Sequence, residues 1–384
     1  MTVKVAHDDP RRLVLRVIVI TLVVLALGTA STVTLAYRSL DKKIDEGDDI
    51  RHTVKRIGGK ELNILVMGSD SRDGEGNDLD GQTGIGRRSD TTILVHVSAD
   101  RKEVYGVSLP RDALVTRPDC EGEDGEVVPG GELEMFNDAF ALGGETCTVA
   151  QVESLTGIYI DHYISIDFNG FKEMVDAVDG VTVCIPEKVE DPEHDIFFEA
   201  GTQELHGQQA LNYVRERSKL SANADIGRMK RQQVFIASMI NKVISAQTLT
   251  KPYRVYNFIE ATTKSIVPDP GLASLHKMSV LARQFRETDL ADIEFVTVPF
   301  MEYEPDPNRL VWAPQADELW ARIIADKPLD KKLSGIINAE APPSGGPTDG
   351  PSGSPSDGPS TTPDDEGTPG GNTDATAAEN GLCA

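Results

Sequence analysis

The sequence predicts an α/β fold: a sheet covered by helices on its faces, carried behind one apolar helix near the N-terminus. Three observations predict it. Strand-type apolar runs alternate with helix-period segments from Leu62 onward. The stretch from Val17 to Tyr37 is uncharged over about 21 residues, enough to cross a hydrocarbon core of roughly 30 Å. From about Ala341 the chain is Pro, Gly, Ser, Thr and Asp, a composition that cannot build a core.

Arg11, Arg12 and Arg16 precede the apolar run, so residues 1–16 are expected in the cytoplasm and the rest outside the cell. Arg38, Lys42 and Lys43 follow it, but Asp41, Asp45 and Glu46 are mixed among them. Small residues between Ala26 and Ser31 raise the competing reading of a cleaved signal peptide. The run continues past them to Tyr37, which favours an uncleaved single-pass anchor over 17–37. Residues 38–60 read as a polar stalk hinged at Gly58-Gly59. A folded extracytoplasmic domain over 61–335 and a disordered tail over 336–384 follow.

Within the domain, Leu62–Gly68 is the first strand and ends in Ser-Asp-Ser. Thr91–Ser98 is the second, and Val104–Leu109 the third, halted by Pro110. Strands are also expected at His162–Ile166, Val181–Ile185 and Ile293–Val298. Helical periodicity covers Val149–Thr156, Phe168–Val178, Gly207–Val214, Gly227–Ile244 and Leu272–Arg286.

The formal net charge of −24 argues against nucleic acid as a partner, because a duplex would repel such a chain. Four scattered cysteines do not match paired-Cys zinc spacing. In an oxidising compartment Cys120 and Cys147 would staple the polar, Gly-rich loop between them. Cys184 reads as a small buried hydrophobe, and its pairing with Cys383 is only arithmetic.

Residues with chemical potential gather in four places: Gly68-Ser69-Asp70-Ser71-Arg72, Arg87-Arg88-Ser89-Asp90, Pro110-Arg111-Asp112, and Tyr213 to Arg217 continuing to Asp225, Arg228, Arg231, Gln232 and Gln233. Three of them follow strands or open a helix, where α/β sheets collect ligands. Convergence would place guanidinium forks, suited to phosphate oxygens, beside carboxylates that can hold a hard divalent cation. Such a site suits a pyrophosphate-bearing substrate with Mg²⁺ (or Mn²⁺). Ordinary surface ion pairing is the alternative, about even for Arg231 with Asp225 or Glu216. His162 and His96 read as structural. Nucleophile elbow, zinc-protease and Walker signatures do not occur in the sequence.

Taken in order, NILVMGSDSR (63–72), RRSDTTILVHV (87–97), VYGVSLPRD (104–112), FNDAFALGG (136–144), the stretch 156–183 and the stretch 205–235 resemble the LytR–CpsA–Psr family of cell-wall enzymes, of actinobacterial type. The resemblance covers roughly 60–247 and implies a single domain with a central mixed β-sheet flanked by helices. It implies a phosphotransferase moving a glycopolymer from a polyprenyl-pyrophosphate carrier onto peptidoglycan through a phosphodiester, and allows a pyrophosphatase activity. Asp70 and Asp90 would be metal ligands. Arg88, Arg111, Arg215, Arg217, Arg228 and Gln232 would hold the pyrophosphate, with Arg87 competing with Arg88 for the site. The prenyl pocket would draw on Val152, Leu155, Phe168, Phe171, Val175, Val234 and Phe235. Asp112 or Asp225 would accept the acceptor's proton beside the essential Arg111. Glycan transfer onto a surface protein, and a non-catalytic prenyl-lipid or wall-polymer binder, are the alternatives. The anchor and stalk would hold the cleft at the bilayer surface, where a prenyl carrier lives.

Overall fold

The structure is a computed structural model and describes residues 10–56, 59–71, 87–122, 125–192, 196–216, 220, 224–244, 250–329, 336–340 and 382–383. Among these, seven strands form one central sheet: β1 (Leu62–Ser69), β2 (Ser89–Val97), β3 (Val104–Leu109), β4 (His162–Ile166), β5 (Ile266–Pro268), β6 (Ile293–Thr297) and β7 (Ile337–Asn338), in the order β5-β4-β1-β2-β3-β6-β7. Pairing of β1 with β4 and of β3 with β6 is parallel, and the other neighbours are antiparallel, so the sheet is mixed as expected. The α-helices among the described residues are α1 (Pro10–Asp41), α2 (Asp138–Thr156), α3 (Phe168–Ala177), α4 (Gly207–Arg215), α5 (Ala224–Ile244), α6 (Pro252–Ser265), α7 (Leu275–Gln284) and α8 (Gln315–Ile324).

Period-two alternation sorts the sheet's side chains. Leu65, Met67, Leu94, Tyr105, Val107 and Val296 face one side and pack with residues of α2 and α8. Val97, Val104, Ile293 and Phe295 face the other and pack with Val234 and Ala237 of α5. A third cluster joins α3, α4 and α5 through Val175, Leu211, Tyr213 and Phe235.

Local signals explain the element ends. Asp167 caps α3 by accepting from the Gly170 N–H at 2.7 Å. Gly157 ends α2 at φ +72, a left-handed C-cap that glycine adopts without strain. The helix expected from Val149 begins earlier, at Asp138, and is interrupted at Gly143 and Gly144, whose dihedrals are not helical. Val181–Ile185 is a strand as expected, but it pairs with Gly201–Leu205 in a separate ribbon.

Two segments differ from expectation. Residues 42–56 are not a free stalk. Gly47 N–H donates to the Pro268 carbonyl at 2.9 Å, the Tyr163 hydroxyl donates to the Asp48 carbonyl at 2.9 Å, and Thr53 N–H donates to the buried Glu153 carboxylate at 2.7 Å. Polar residues are retained there because they satisfy buried partners on the domain. The tail is not wholly without structure either. β7 pairs with β6, Leu382 is buried in the core beside Ile337, and Cys383 is disulfide-bonded to Cys184. The expected Cys120–Cys147 bridge is present, with Cα atoms 5.2 Å apart. Residues 341–381 lie outside the described residues, as does the Gly58 half of the hinge.

Helix α1 contains a segment, Ile18–Asp41, long and apolar enough to cross a membrane; its apolar side chains from Ile18 to Leu27 are exposed, and its end, at Leu40 and Asp41, meets the domain.

Candidate active site

The sheet brings the four sequence clusters together at one edge, where β1 and β3 end. Asp70 follows β1 and is tied to the strand entering β2: its N–H donates to the Arg88 carbonyl at 2.8 Å, and its Oδ1 accepts from the Arg88 N–H. Burial pushes the Asp70 carboxyl above its ordinary value. The Arg88 N–H partly offsets this, and the nearby Asp90 charge adds to the rise.

Arg111, on the turn after β3, is the hub. Its Nη1 donates to Asp90 Oδ1, its Nε to Asp112 Oδ2 at 3.2 Å, and its Nη2 lies 3.5 Å from Asp225 Oδ1. Burial pulls its pKa down, but the three carboxylates more than compensate, so it stays charged. Pro110 supplies the reason for the geometry, since it ends β3 and turns the chain so that Arg111 faces β2.

The start of α5 completes the cluster. Arg228 is almost fully buried, contacts Asp225 Oδ1 at 3.0 and 3.1 Å, and donates from Nη1 to the Asp90 carbonyl at 3.1 Å. One turn on, Gln232 Nε2 donates to the Val214 carbonyl at 3.0 Å. The Arg215 guanidinium lies 4.5 Å from the centroid of Phe168, a cation–π contact that places it at the same cluster.

Arg87 and Arg88 part company. Arg87 reaches α2, bonding Glu145 at 3.0 Å and lying over Phe140, whereas Arg88 is exposed beside Asp70. Arg72 and Arg217 lie outside the described residues. Arg231 turns inward and donates to the Glu216 carbonyl. Gln233 bonds Ser108 and Thr297 at 2.9 and 3.0 Å beneath the sheet's end. His162 pairs with Asp269 at 3.1 Å at the opposite sheet edge, and His96 is buried between Asn63 and Asp326, so neither belongs to the site.

The cluster forms the mouth of an apolar cavity of about 270 Å³. Asp90, Arg215, Arg228 and Gln232 sit at its polar end, and Val66, Ile93, Phe168, Phe171, Phe235 and Met239 line the rest. A second apolar cavity of about 420 Å³ shares Val66, Ile93, Ile236 and Met239 with the first and runs on under α5 to Phe285 and Phe295. The two adjoin at these four residues, between the sheet and α5, and together form the apolar channel of the site.

Three expected pocket residues, Phe168, Phe171 and Phe235, line it. Four do not. Val152 and Leu155 pack on the other face of the sheet, because α2 covers that face. Val175 is buried between α3 and α4, and Val234 points into the cluster that includes Val97, Val104 and Ile337. The residues missed, Ile236, Met239, Ile240 and Val243, follow Gln232 at helical spacing on α5. That signal is present in the sequence but is shared by any core-facing helix.

A mixed α/β domain whose arginines and carboxylates ring the mouth of an apolar channel defines a class of protein suited to an anionic head on a hydrophobic tail. The chain belongs to the LytR_cpsA_psr family, whose profile matches residues 28–322. Among relatives, it is 33% identical over 260 residues to "Cell wall biosynthesis protein LcpA" of Corynebacterium glutamicum, covering 62% of this chain and 49% of that one. It is 36% identical over 203 residues to "Probable cell wall biosynthesis protein LcpB" of the same organism, covering 51% and 45%. The chain thus spans about half the length of these curated relatives. Among solved structures, the "LytR-Csp2A-Psr enzyme from Actinomyces oris" superposes with a TM-score of 0.54 at 19% identity, over 73% of this chain and 95% of that one. "TagT bound to LI-WTA" superposes at 0.51 and 22% identity, over 74% and 98%. These two establish the shared fold.

Proposed function

We propose that this chain is a phosphotransferase that moves a glycopolymer from a polyprenyl-pyrophosphate carrier onto peptidoglycan. The observation that carries this reading is the junction itself: Arg111, Arg215 and Arg228 gather with Asp70, Asp90 and Asp225 where the polar mouth meets the channel. A pyrophosphate headed by a glycan and tailed by a prenyl chain matches both halves. Relatives support the reading. One that is 31% identical, from Enterococcus faecalis, is named "Polyisoprenyl-teichoic acid--peptidoglycan teichoic acid transferase TagU".

In the proposed step an acceptor sugar hydroxyl attacks the glycan-bearing phosphorus. A new P–O bond forms, the bridging bond to the prenyl phosphate breaks, and prenyl phosphate leaves. The guanidinium groups neutralise charge gathering on the departing phosphate. Asp112 and Asp225, both on Arg111, are the candidate acceptors of the hydroxyl proton.

Asp70 and Asp90 are the carboxylates that would hold a hard divalent cation: they follow the paired Ser69 and Ser89 of β1 and β2, and the Asp90 charge adds to the raised Asp70 pKa, a repulsion that Mg²⁺ or Mn²⁺ would relieve. Bound there, the ion would supply charge neutralisation at the pyrophosphate. With α1 in the bilayer and residues 1–16 in the cytoplasm, the domain would lie outside the cell.

The test is to incubate the full-length chain in detergent with a prenyl-pyrophosphate glycan and peptidoglycan, with and without Mg²⁺. Phosphodiester-linked glycan on the acceptor, with release of prenyl phosphate, is expected. Tight binding of the donor without release under either condition would reassign the protein as a lipid-glycan binder.

A further inference from the structure

The channel has a far end, and it lies where α1 arrives. α1 is tied to the domain at its last residue: Asp41 Oδ1 accepts from the Leu275 N–H at the start of α7, at 2.8 Å. Two residues on, Lys43 pairs with Glu260 of α6 at 2.7 Å, and Leu40 is buried. These contacts fix the exit point of the span on α6 and α7 themselves. The catalytic cluster is elsewhere. It sits at the end of β1 and β3, whereas the channel's far end is lined by Val104 and Ile293, which open β3 and β6. An eight-residue strand separates the two edges by roughly 25 Å.

The surface at that far end is unusual for a chain in water. Tyr253, Tyr256 and Ile259 of α6, Val280 of α7 and Ile244 at the end of α5 are all exposed. Ile244 also lines the channel, so the channel reaches the surface among them. Its neighbours there are Phe258 of α6 and Phe285 just after α7. The segment is also richer in cations than the rest of the chain. Between residues 251 and 286 six basic side chains (Lys251, Arg254, Lys264, Lys277, Arg283 and Arg286) stand against two acidic ones, Glu260 and Asp269, in a chain of net charge −24, although Arg254 is paired with Asp179 and Lys264 with Glu260. Tyrosines, aliphatics and cations together are the composition of a surface that sits in lipid headgroups.

We infer that α6, α7 and the C-terminal end of α5 form a bilayer-contact surface, and that the channel opens through it into the membrane. The occupant is the outer face of the membrane that α1 spans, contacted through anionic phospholipid headgroups. The Asp/Arg mouth then faces away from the bilayer, toward the wall. A lipid tail in the channel remains continuous with the acyl region, which answers how a membrane-resident substrate presents its head some 25 Å from the membrane surface. The bilayer contact rests on α1 being a span, and the tail's route rests on the prenyl-carrier reading.

The test uses the full-length chain in nanodiscs of phosphatidylcholine and phosphatidylglycerol, with single Tyr256→Trp, Val280→Trp and Ile244→Trp variants and lipids brominated near the headgroup end of the acyl chain. Leu142→Trp serves as the reference, because Leu142 is exposed near the start of α2, the helix whose Glu145 bonds Arg87 at the end of the sheet that carries the mouth. After subtraction of the Trp312 and Trp320 background, emission from the first three is expected to fall by at least twofold, and that of Leu142→Trp to be unchanged. Absence of quenching at both Tyr256→Trp and Val280→Trp, or equal quenching at Leu142→Trp, overturns the inference. So does a concentration-dependent dimer that shields Tyr256→Trp without bromine dependence, which would give the face to a second copy. The quenching assay contains no donor glycan and reads the bilayer contact alone, so failure of the donor assay with quenching intact would count against the transferase reading alone.

Discussion

Arg111 Nη2 lies 3.5 Å from Asp225 Oδ1, which ties the turn after β3 to the first helical turn of α5. Asp90 and Asp112 hold the other nitrogens of the same guanidinium, so one side chain organises three carboxylates. A lysine cannot replace it, since an ammonium is a point charge without the planar fork. Arg111→Ala and Arg111→Lys should both lower transfer about 100- to 1,000-fold, the usual cost of removing one preorganised charge stabiliser. Circular dichroism should be unchanged. Near-normal transfer by Arg111→Ala would remove this residue from the site.

Asp70 should trade stability for function. Its carboxyl titrates above the ordinary value of 3.8, burial being the main cause. The folded state therefore binds the proton more tightly than the unfolded one, and stability falls as pH rises from 3.8 through the raised value. Asp70→Asn removes that loss. In EDTA at pH 7 the variant should melt higher than the parent, and the difference should vanish at pH values below 3.8, where both are neutral. The same variant should lose transfer and any Mg²⁺-dependent rise in Tm. A lower Tm for Asp70→Asn in EDTA at pH 7 would contradict this account.

Much of this frame was legible in the residues. β3 is legible to the residue because an apolar run ends at Pro110, and β1 to within one residue because its run meets Gly-Ser-Asp. The Asp and Arg clusters are legible because they fall at strand ends and at a helix start, where α/β sheets collect ligands, although ion pairing alone accounts for residues of the same kind. The channel walls are not legible, because Val152 and Phe171 are equally apolar and only the sheet's faces decide which of them meets the cavity. Helix α6 is not legible in the sequence, since Tyr253, Tyr256 and Ile259 are exposed and blur the usual apolar stripe. Nothing local marks Ile337–Asn338 as a strand; pairing with β6 makes it one.

The waist of the channel gives a prediction about tail length. Met239 borders both cavities, and Gly106 leaves room for the Phe295 ring, which a Cβ there would approach to 2.5 Å. Met239→Trp should fill the waist while the mouth stays intact. Binding of a long-chain prenyl pyrophosphate should weaken at least tenfold, whereas geranyl pyrophosphate, short enough for the mouth half, should bind as before. Equal weakening of both, measured by calorimetry, would place the defect in the mouth and not in the channel.

The two disulfides should differ in weight because they close loops of different length. Cys184 and Cys383 are 199 residues apart, Cys120 and Cys147 only 27. Chain entropy alone assigns about 5 kcal/mol to the longer loop and about 3.5 kcal/mol to the shorter. The longer bridge also holds Leu382 against Ile337 and Phe295 in the α5 side of the core. Cys383→Ser should therefore lower the denaturant midpoint more than Cys120→Ser, and dithiothreitol should bring the parent to the level of the double variant. The channel gives a second readout. Its wall includes Phe295 and Ile293, which share a cluster with Leu382, so Cys383→Ser should loosen long-chain binding while geranyl pyrophosphate is unaffected. If Cys120→Ser proves the costlier change, the staple across the loop near the mouth, and not the tail's return, carries the stability.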